Sequence, residues 1–250
     1  MSQKSEQNIY DNPAFFDGYY ALREKDTCLN DLVEQPAMAA LLPDTRGKSV
    51  LDLGCGYGRN CLAFARQGAA RVVGLDISEK MLAVARRESG GATVEYLRMS
   101  MTELASLAGA FDLVYSSLAF HYIEDFPQLA DDIYRLLRPG GHLLFSQEHP
   151  IITATVDGQG GWNRGPDGAP LSYTFSNYCQ SGRRESHWFI DGVVKYHRPM
   201  GEILTTLAKA GFVLEEVCEP VPPPWALEKL PAAAKEFLKP NFLIVKASKR

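Results

Sequence analysis

Between about residues 50 and 148, apolar positions follow two alternating rhythms. Near-continuous apolar runs predict short buried strands at "SVLDLG" (49–54), "RVVGLD" (71–76), "TVEYLRM" (93–99), "FDLVYSS" (111–117) and "HLLFSQE" (142–148). The intervening segments carry helical spacing. "RNCLAFARQG" closes at Gly68, and "SEKMLAVARRE" (78–88) has Ser78 as its N-cap. "DFPQLADDIYRLLRPGG" has Asp125 as N-cap, Pro127 in its first turn and a Pro-Gly-Gly stop. Strands and helices joined by short connections mean βαβ units, hence a parallel sheet with helices on both faces. After residue 150 the rhythm breaks. Residues 151–197 are rich in Gly, aromatic and polar residues, and "HWFIDGVVKYH" predicts a hairpin turning at Asp191-Gly192. A helix over 201–211, strands over 212–219 and 242–248, and a loop at "PVPPPW" (220–225) complete the pattern.

Composition narrows the class without changing this picture. At 250 residues the chain is one large domain, or one domain with a modest insertion. A net charge of -4 gives no case for general nucleic-acid binding. "MSQKSEQN" lacks the apolar core of a secretory signal, and no apolar run approaches membrane-spanning length. The five cysteines (Cys28, Cys55, Cys61, Cys179 and Cys218) form no C-x-x-C pair. These features predict a reduced cytoplasmic protein with neither a disulfide framework nor a metal site.

The candidate chemistry starts at "VLDLGCGYGRN" (50–60). Gly54, Gly56 and Gly58 follow the first predicted strand, where an open α/β sheet binds ligands at its carboxyl edge. The spacing is G-x-G-x-G, with Arg59 where the dinucleotide fingerprint departs, and no G-K-[ST] follows. Asp52 stands beside the loop. A carboxylate there repels a pyrophosphate and favours an ammonium or a sulfonium. Asp76 ends the second strand, where an acidic side chain accepts ribose hydroxyl hydrogens, and Ile77 can wall an adenine. A ribose-bearing ligand with a cationic tail and no phosphate matches S-adenosyl-L-methionine.

"VLDLGCGYGRN", "VVGLDISEKMLAVAR", "FDLVYSSLAFHYIED" and "IYRLLRPGGHLLFS", in that order, resemble the class I S-adenosylmethionine-dependent methyltransferases. The nearest group is the small-molecule enzymes that include the ubiquinone/menaquinone-type methylases. The likeness covers residues 48–150, with weaker support over 200–250. It implies a Rossmann-like, seven-stranded, mostly parallel sheet in the order 3-2-1-4-5-7-6, with strand seven antiparallel and an insertion after strand five. It further implies that Asp52 and the backbone of Gly54, Cys55 and Gly56 hold the methionine part of the cofactor. Asp76 would bind the ribose, and Ile77 would flank the adenine. Where the family often places an Asp after strand three, this chain has Ser100 and Met101, which the resemblance implies would contact the adenine instead. Ser116 would lie near the methionine carboxylate or sulfur.

The expected organisation is a single domain over 1–250. It comprises an N-terminal lid (1–30), a cofactor-binding half (48–150), an insertion over the acceptor site (151–197) and C-terminal strands (198–250). Tyr19 and Arg23, four apart in "YDNPAFFDGYYALR", share a helical face and are assigned to the lid and cofactor. The ends of strands four and five border the methyl group, which brings in His121, Glu148 and His149. Either histidine can accept a proton near neutral pH, with Glu148 orienting His149 or acting itself. A structural role for His121 stands beside the chemical one. The expected reaction is methyl transfer to an O, N or C atom of a small molecule. A protein or tRNA acceptor, or a non-catalytic cofactor-binding module, are the alternatives. The loop after strand four carries no N/D-P-P-Y/F motif, so no nucleic-acid partner is expected.

Overall fold

The computed structural model describes residues 7–23, 25, 27–156 and 160–250. Of the expected lid, residues 1–6, 24 and 26 lie outside the described residues, as do 157–159 of the expected insertion. The chain opens with α1 (Pro13–Arg23), a π-helical turn (Asn30–Glu34) and α2 (Gln35–Leu41). Then come β1 (Ser49–Leu53), α3 (Arg59–Arg66), β2 (Arg71–Asp76), α4 (Glu79–Glu88), β3 (Val94–Arg98) and β4 (Phe111–Ser117). After α5 (Phe126–Leu136) and β5 (Leu137–Glu148) the chain forms α6 (Pro150–Thr153) and two hairpins. These are β6 (Gly161–Arg164) with β7 (Pro170–Thr174), and β8 (Gly182–Trp188) with β9 (Ile190–His197). It ends with α7 (Met200–Lys209), β10 (Val213–Cys218), α8 (Pro224–Lys229) and β11 (Phe242–Ser248).

Seven strands form one sheet in the order β3-β2-β1-β4-β5-β11-β10. Counting only these strands, this is 3-2-1-4-5-7-6. β11 runs antiparallel to both neighbours, and the other pairs are parallel. The fold is Rossmann-like, as expected. β1 is buried along its whole length because helices cover both faces. Its side chains alternate: Val50 faces Phe64 and Leu82 on one side, and Leu51 and Leu53 join Ile133 and Leu207 on the other. This double burial holds the carboxyl ends of β1, β2 and β4 side by side.

The periodicity is corrected at three places. Asp191-Gly192 is not the hairpin turn. The chain reverses at Phe189, with a φ of 60°, and Gly192, with a φ of 75°, sits where the pairing shifts between Ser186 and Trp188. Left-handed backbone occurs at both points, and the register decides which is the turn. "PVPPPW" is a loop only to Pro223, since Pro224 opens α8 with its φ preset for a first helical turn. β5 begins at Leu137 rather than 142, through an irregularity opposite Phe111 and Leu113.

Candidate cofactor and acceptor site

The glycines after β1 make a turn that other residues resist. Gly54, Gly56 and Gly58 have φ of 70°, 55° and 73°. The Gly54 and Cys55 N–H groups both donate to Leu75 O, at 2.9 and 3.0 Å, which ties the loop to the end of β2. A Cβ on Gly54 would stand 2.7 Å from the Ala119 Cβ, whereas one on Gly56 would meet nothing within 4 Å. The loop is packed on one side and open on the other.

Asp76 joins the two neighbouring strand ends. Its Oδ2 accepts from Gly56 N–H (2.9 Å) and its Oδ1 from Ser78 N–H (2.8 Å). Ser78 in turn caps α4 by accepting from Met81 N–H. Burial pushes the Asp76 carboxyl up to about 6 against these two donors. A cavity opens beside it. Of the residues expected at a cofactor, Tyr19, Gly54, Gly56, Asp76, Ile77 and Met101 line it. Ser100 lines an adjoining cleft, and its hydroxyl caps the following turn by accepting from Thr102 N–H at 2.9 Å.

The structure does not place Arg23, Asp52, Cys55 or Ser116 on the cavity wall. Arg23 pairs with Asp31 at 3.2 Å. Asp52 is 1% exposed, accepts the Cys61 thiol hydrogen at 3.2 Å, and is pushed up to about 7 by burial. Ser116 is bolted to β1 through Leu53 O at 2.8 Å. Strand alternation turns Ser117, its neighbour, toward the cavity. Ser117, Leu118, Tyr122 and Tyr10 are lining residues that pattern reasoning missed. The local signal for Ser117 is its place at the end of "FDLVYSS", the strand end expected to border the methyl group.

None of His121, Glu148 and His149 lines the cavity. His121 is buried, Glu148 N–H points at its Nδ1 from 3.4 Å, and burial lowers the imidazole to about 4. It is therefore neutral at pH 7. Glu148 does not orient His149. Burial pushes its carboxyl up, but Lys195 at 2.6 Å and His121 outweigh this and hold it below the usual glutamate range. His149 Nδ1 accepts from Ile151 N–H at 3.1 Å, so its Nε2–H donates to Glu219 Oε1 at 2.7 Å. Burial lowers this ring as well.

The roof comes from the N-terminal segment, the turn after β4 and the β8–β9 hairpin. Tyr10 OH meets Tyr122 OH at 3.4 Å, and both residues line the cavity. Phe15 of α1 packs edge-on to Trp188 and Phe189, with ring centroids 5.3 and 5.6 Å apart, and Tyr19 meets Trp188 at 5.7 Å. Asp11 fastens this segment to the start of α4, accepting from Ser78 Oγ at 2.6 Å and Lys80 N–H at 3.1 Å.

Asp76 lines the cavity, Glu34 lies behind the lining residue Ser117, and Asp52 is buried within β1; among the described residues no cation forms an ion pair with any of the three. This set of carboxylates, one on the wall and two behind it, suits a ligand that brings hydroxyl donors, an apolar base and a positive charge. It opposes a pyrophosphate. Among the described residues no helix is long and apolar enough to cross a membrane, and no group of His, Cys, Asp or Glu side chains is arranged to hold a metal ion.

Comparison with known proteins agrees with this chemistry. Residues 51–145 match the family described as "Methyltransferase domain". An uncharacterised protein of Haemophilus influenzae is 37% identical over 97% of both chains. A ubiquinone biosynthesis O-methyltransferase of Acinetobacter baumannii is 36% identical over 78% of this chain and 73% of its own. The crystal structure of an S-adenosylmethionine dependent methyltransferase from Mesorhizobium loti superposes with a TM-score of 0.81. It is 38% identical, covering 90% of this chain and 99% of that one.

Proposed function

Because the chain belongs to the class I S-adenosylmethionine-dependent methyltransferases, we propose that it methylates an O, N or C atom of a small molecule. The aromatic roof carries this reading. Tyr10, Tyr19 and Tyr122 line the cavity, with Phe15 and Trp188 packed against Tyr19, an aromatic enclosure of the kind that suits a small flat or apolar acceptor. The ubiquinone-type relative, whose name gives a small-molecule pathway, supports the same class.

In this reading Asp76 accepts the ribose hydroxyl hydrogens, while Ile77, Met99 and Met101 enclose the adenine. The open side of Gly56 admits the methionine part. S-adenosylmethionine supplies a methyl group already attached to a good leaving group, so the protein's task is alignment and exclusion of water. The placement of the three sequence-expected catalytic residues supports that division of labour. His121 is neutral and packed, Glu148 is held by Lys195, and His149 uses both ring nitrogens.

The test is to incubate the purified protein with methyl-labelled cofactor and separated small-molecule, protein and RNA fractions of a cell extract. Label is expected in the small-molecule fraction. Label confined to protein or RNA would overturn the acceptor class, and retention of cofactor with no transfer to any fraction would favour a binding module.

A further inference from the structure

Among the described residues, Glu34 is the one buried carboxylate near the cavity that the sequence did not single out. It lies in the π-helical turn before α2, an irregularity common at functional sites, and its side chain is 0% exposed. The residues it touches are hydrogen-bond donors. Ser146 Oγ and Ser117 Oγ donate to Oε1 at 2.5 and 2.9 Å, and Gln35 Nε2 donates to Oε2 at 2.8 Å. Burial pushes the carboxyl up against these donors and against the distant Arg23 charge.

A glutamine would satisfy the same two serine hydroxyls without burying an ion. A buried carboxylate with no paired cation is costly, and a positive charge brought into the cavity would offset that cost. The sheet order indicates which charge. Across the carboxyl edge stand Asp76 at the end of β2, Gly54 and Gly56 after β1, and Ser117 at the end of β4. A ligand with its ribose at Asp76 that continues past the glycine loop reaches Ser117, and Glu34 lies directly behind that hydroxyl. Ser146, held by Glu34, also accepts the amide hydrogen of Leu118 at its Oγ (3.1 Å). Leu118 is a lining residue in the left-handed region with a φ of 56°.

We propose that Glu34 is the counter-charge by which the β4 end of the cavity favours the cationic sulfonium cofactor over its neutral thioether product. It acts through Ser117 and so sets specificity without touching the ligand. The inference rests on assigning the cavity to the cofactor. It gives the protein a way to exchange product for fresh cofactor, since transfer of the methyl group removes the positive charge that Glu34 answers.

The experiment measures dissociation constants of S-adenosylmethionine, sinefungin (an ammonium in place of the sulfonium) and S-adenosylhomocysteine by calorimetry. Wild type is compared with Glu34→Gln, Glu34→Asp and Gln35→Lys. Wild type should prefer both cations. Glu34→Gln should cut that preference by about tenfold while S-adenosylhomocysteine affinity moves less than about threefold, the scale expected for one buried charge one layer from the ligand. Glu34→Asp, which keeps the charge, should keep the preference. Gln35→Lys places a cation beside Oε2 without altering Glu34, so it should lower the preference even if Glu34→Gln fails to fold. An unchanged preference in Glu34→Gln and Gln35→Lys overturns the proposal. So does an equal loss for all three ligands, which would make Glu34 a shaping residue. Failure of wild type to bind any of the three would instead refute the cofactor assignment of the cavity.

Discussion

Replacing Asp76 by Asn keeps its size and removes its charge, and the structure sets opposite consequences for stability and for binding. Asp76 binds its proton more tightly folded than unfolded, its pKa rising from 3.8 to about 6. Its contribution to stability is therefore fully present below about pH 4 and is lost as the pH climbs through about 6. At neutral pH the ionised group costs the fold about 3 kcal/mol. Asn removes that cost. It also turns an amide NH2 toward one of two backbone donors, Gly56 N–H or Ser78 N–H, at a cost of about 1–3 kcal/mol. The ligand-free variant should then melt at or above the wild-type temperature near pH 7.5, and below it near pH 4. Binding moves the other way. Each charge-assisted hydrogen bond to a ribose hydroxyl is worth about 1.5–3 kcal/mol. Their partial loss should weaken S-adenosylhomocysteine by about 3 kcal/mol, roughly 150-fold in Kd. Melting curves from pH 4 to 8, with titration calorimetry at pH 7.5, read both effects. Wild-type affinity would refute the ribose assignment. A melting difference that stays flat across pH would refute the burial argument.

Two further outcomes follow from the same geometry. Gly54→Ala forces a side chain into left-handed backbone and to 2.7 Å from Ala119 Cβ, so it should lose about 1–3 kcal/mol in chemical denaturation and bind S-adenosylhomocysteine at least tenfold more weakly. Stability retained in full would show that the loop relaxes. His149→Ala removes the α6 cap and leaves Glu219 without its donor, so it should lower stability by about 1–2 kcal/mol while the product affinity stays within about twofold. A selective loss of turnover with unchanged melting would return His149 to the chemistry.

Local pattern was enough to determine the alternating parallel core. Strands fully covered on both faces must be continuously apolar, and the boundaries of β1, β2 and β4 fall within a residue of their runs. It also determined the glycine turn after β1, because three closely spaced glycines at a strand end announce backbone that other residues avoid, and Asp76 follows at the next strand end. What the pattern could not determine was which polar groups meet. Ser117 rather than Ser116 faces the cavity because pairing with β1 and β5 sets the strand's rotation. Glu148 finds Lys195, and His149 finds Glu219, because adjacent residues at a strand end leave it in different directions. Glu34 reaches Ser117 across 83 residues of sequence and Ser146 across 112. Periodicity reports each segment's own burial. Only the folded sheet, by setting distant strand ends side by side, decides which buried charge stands behind which hydroxyl.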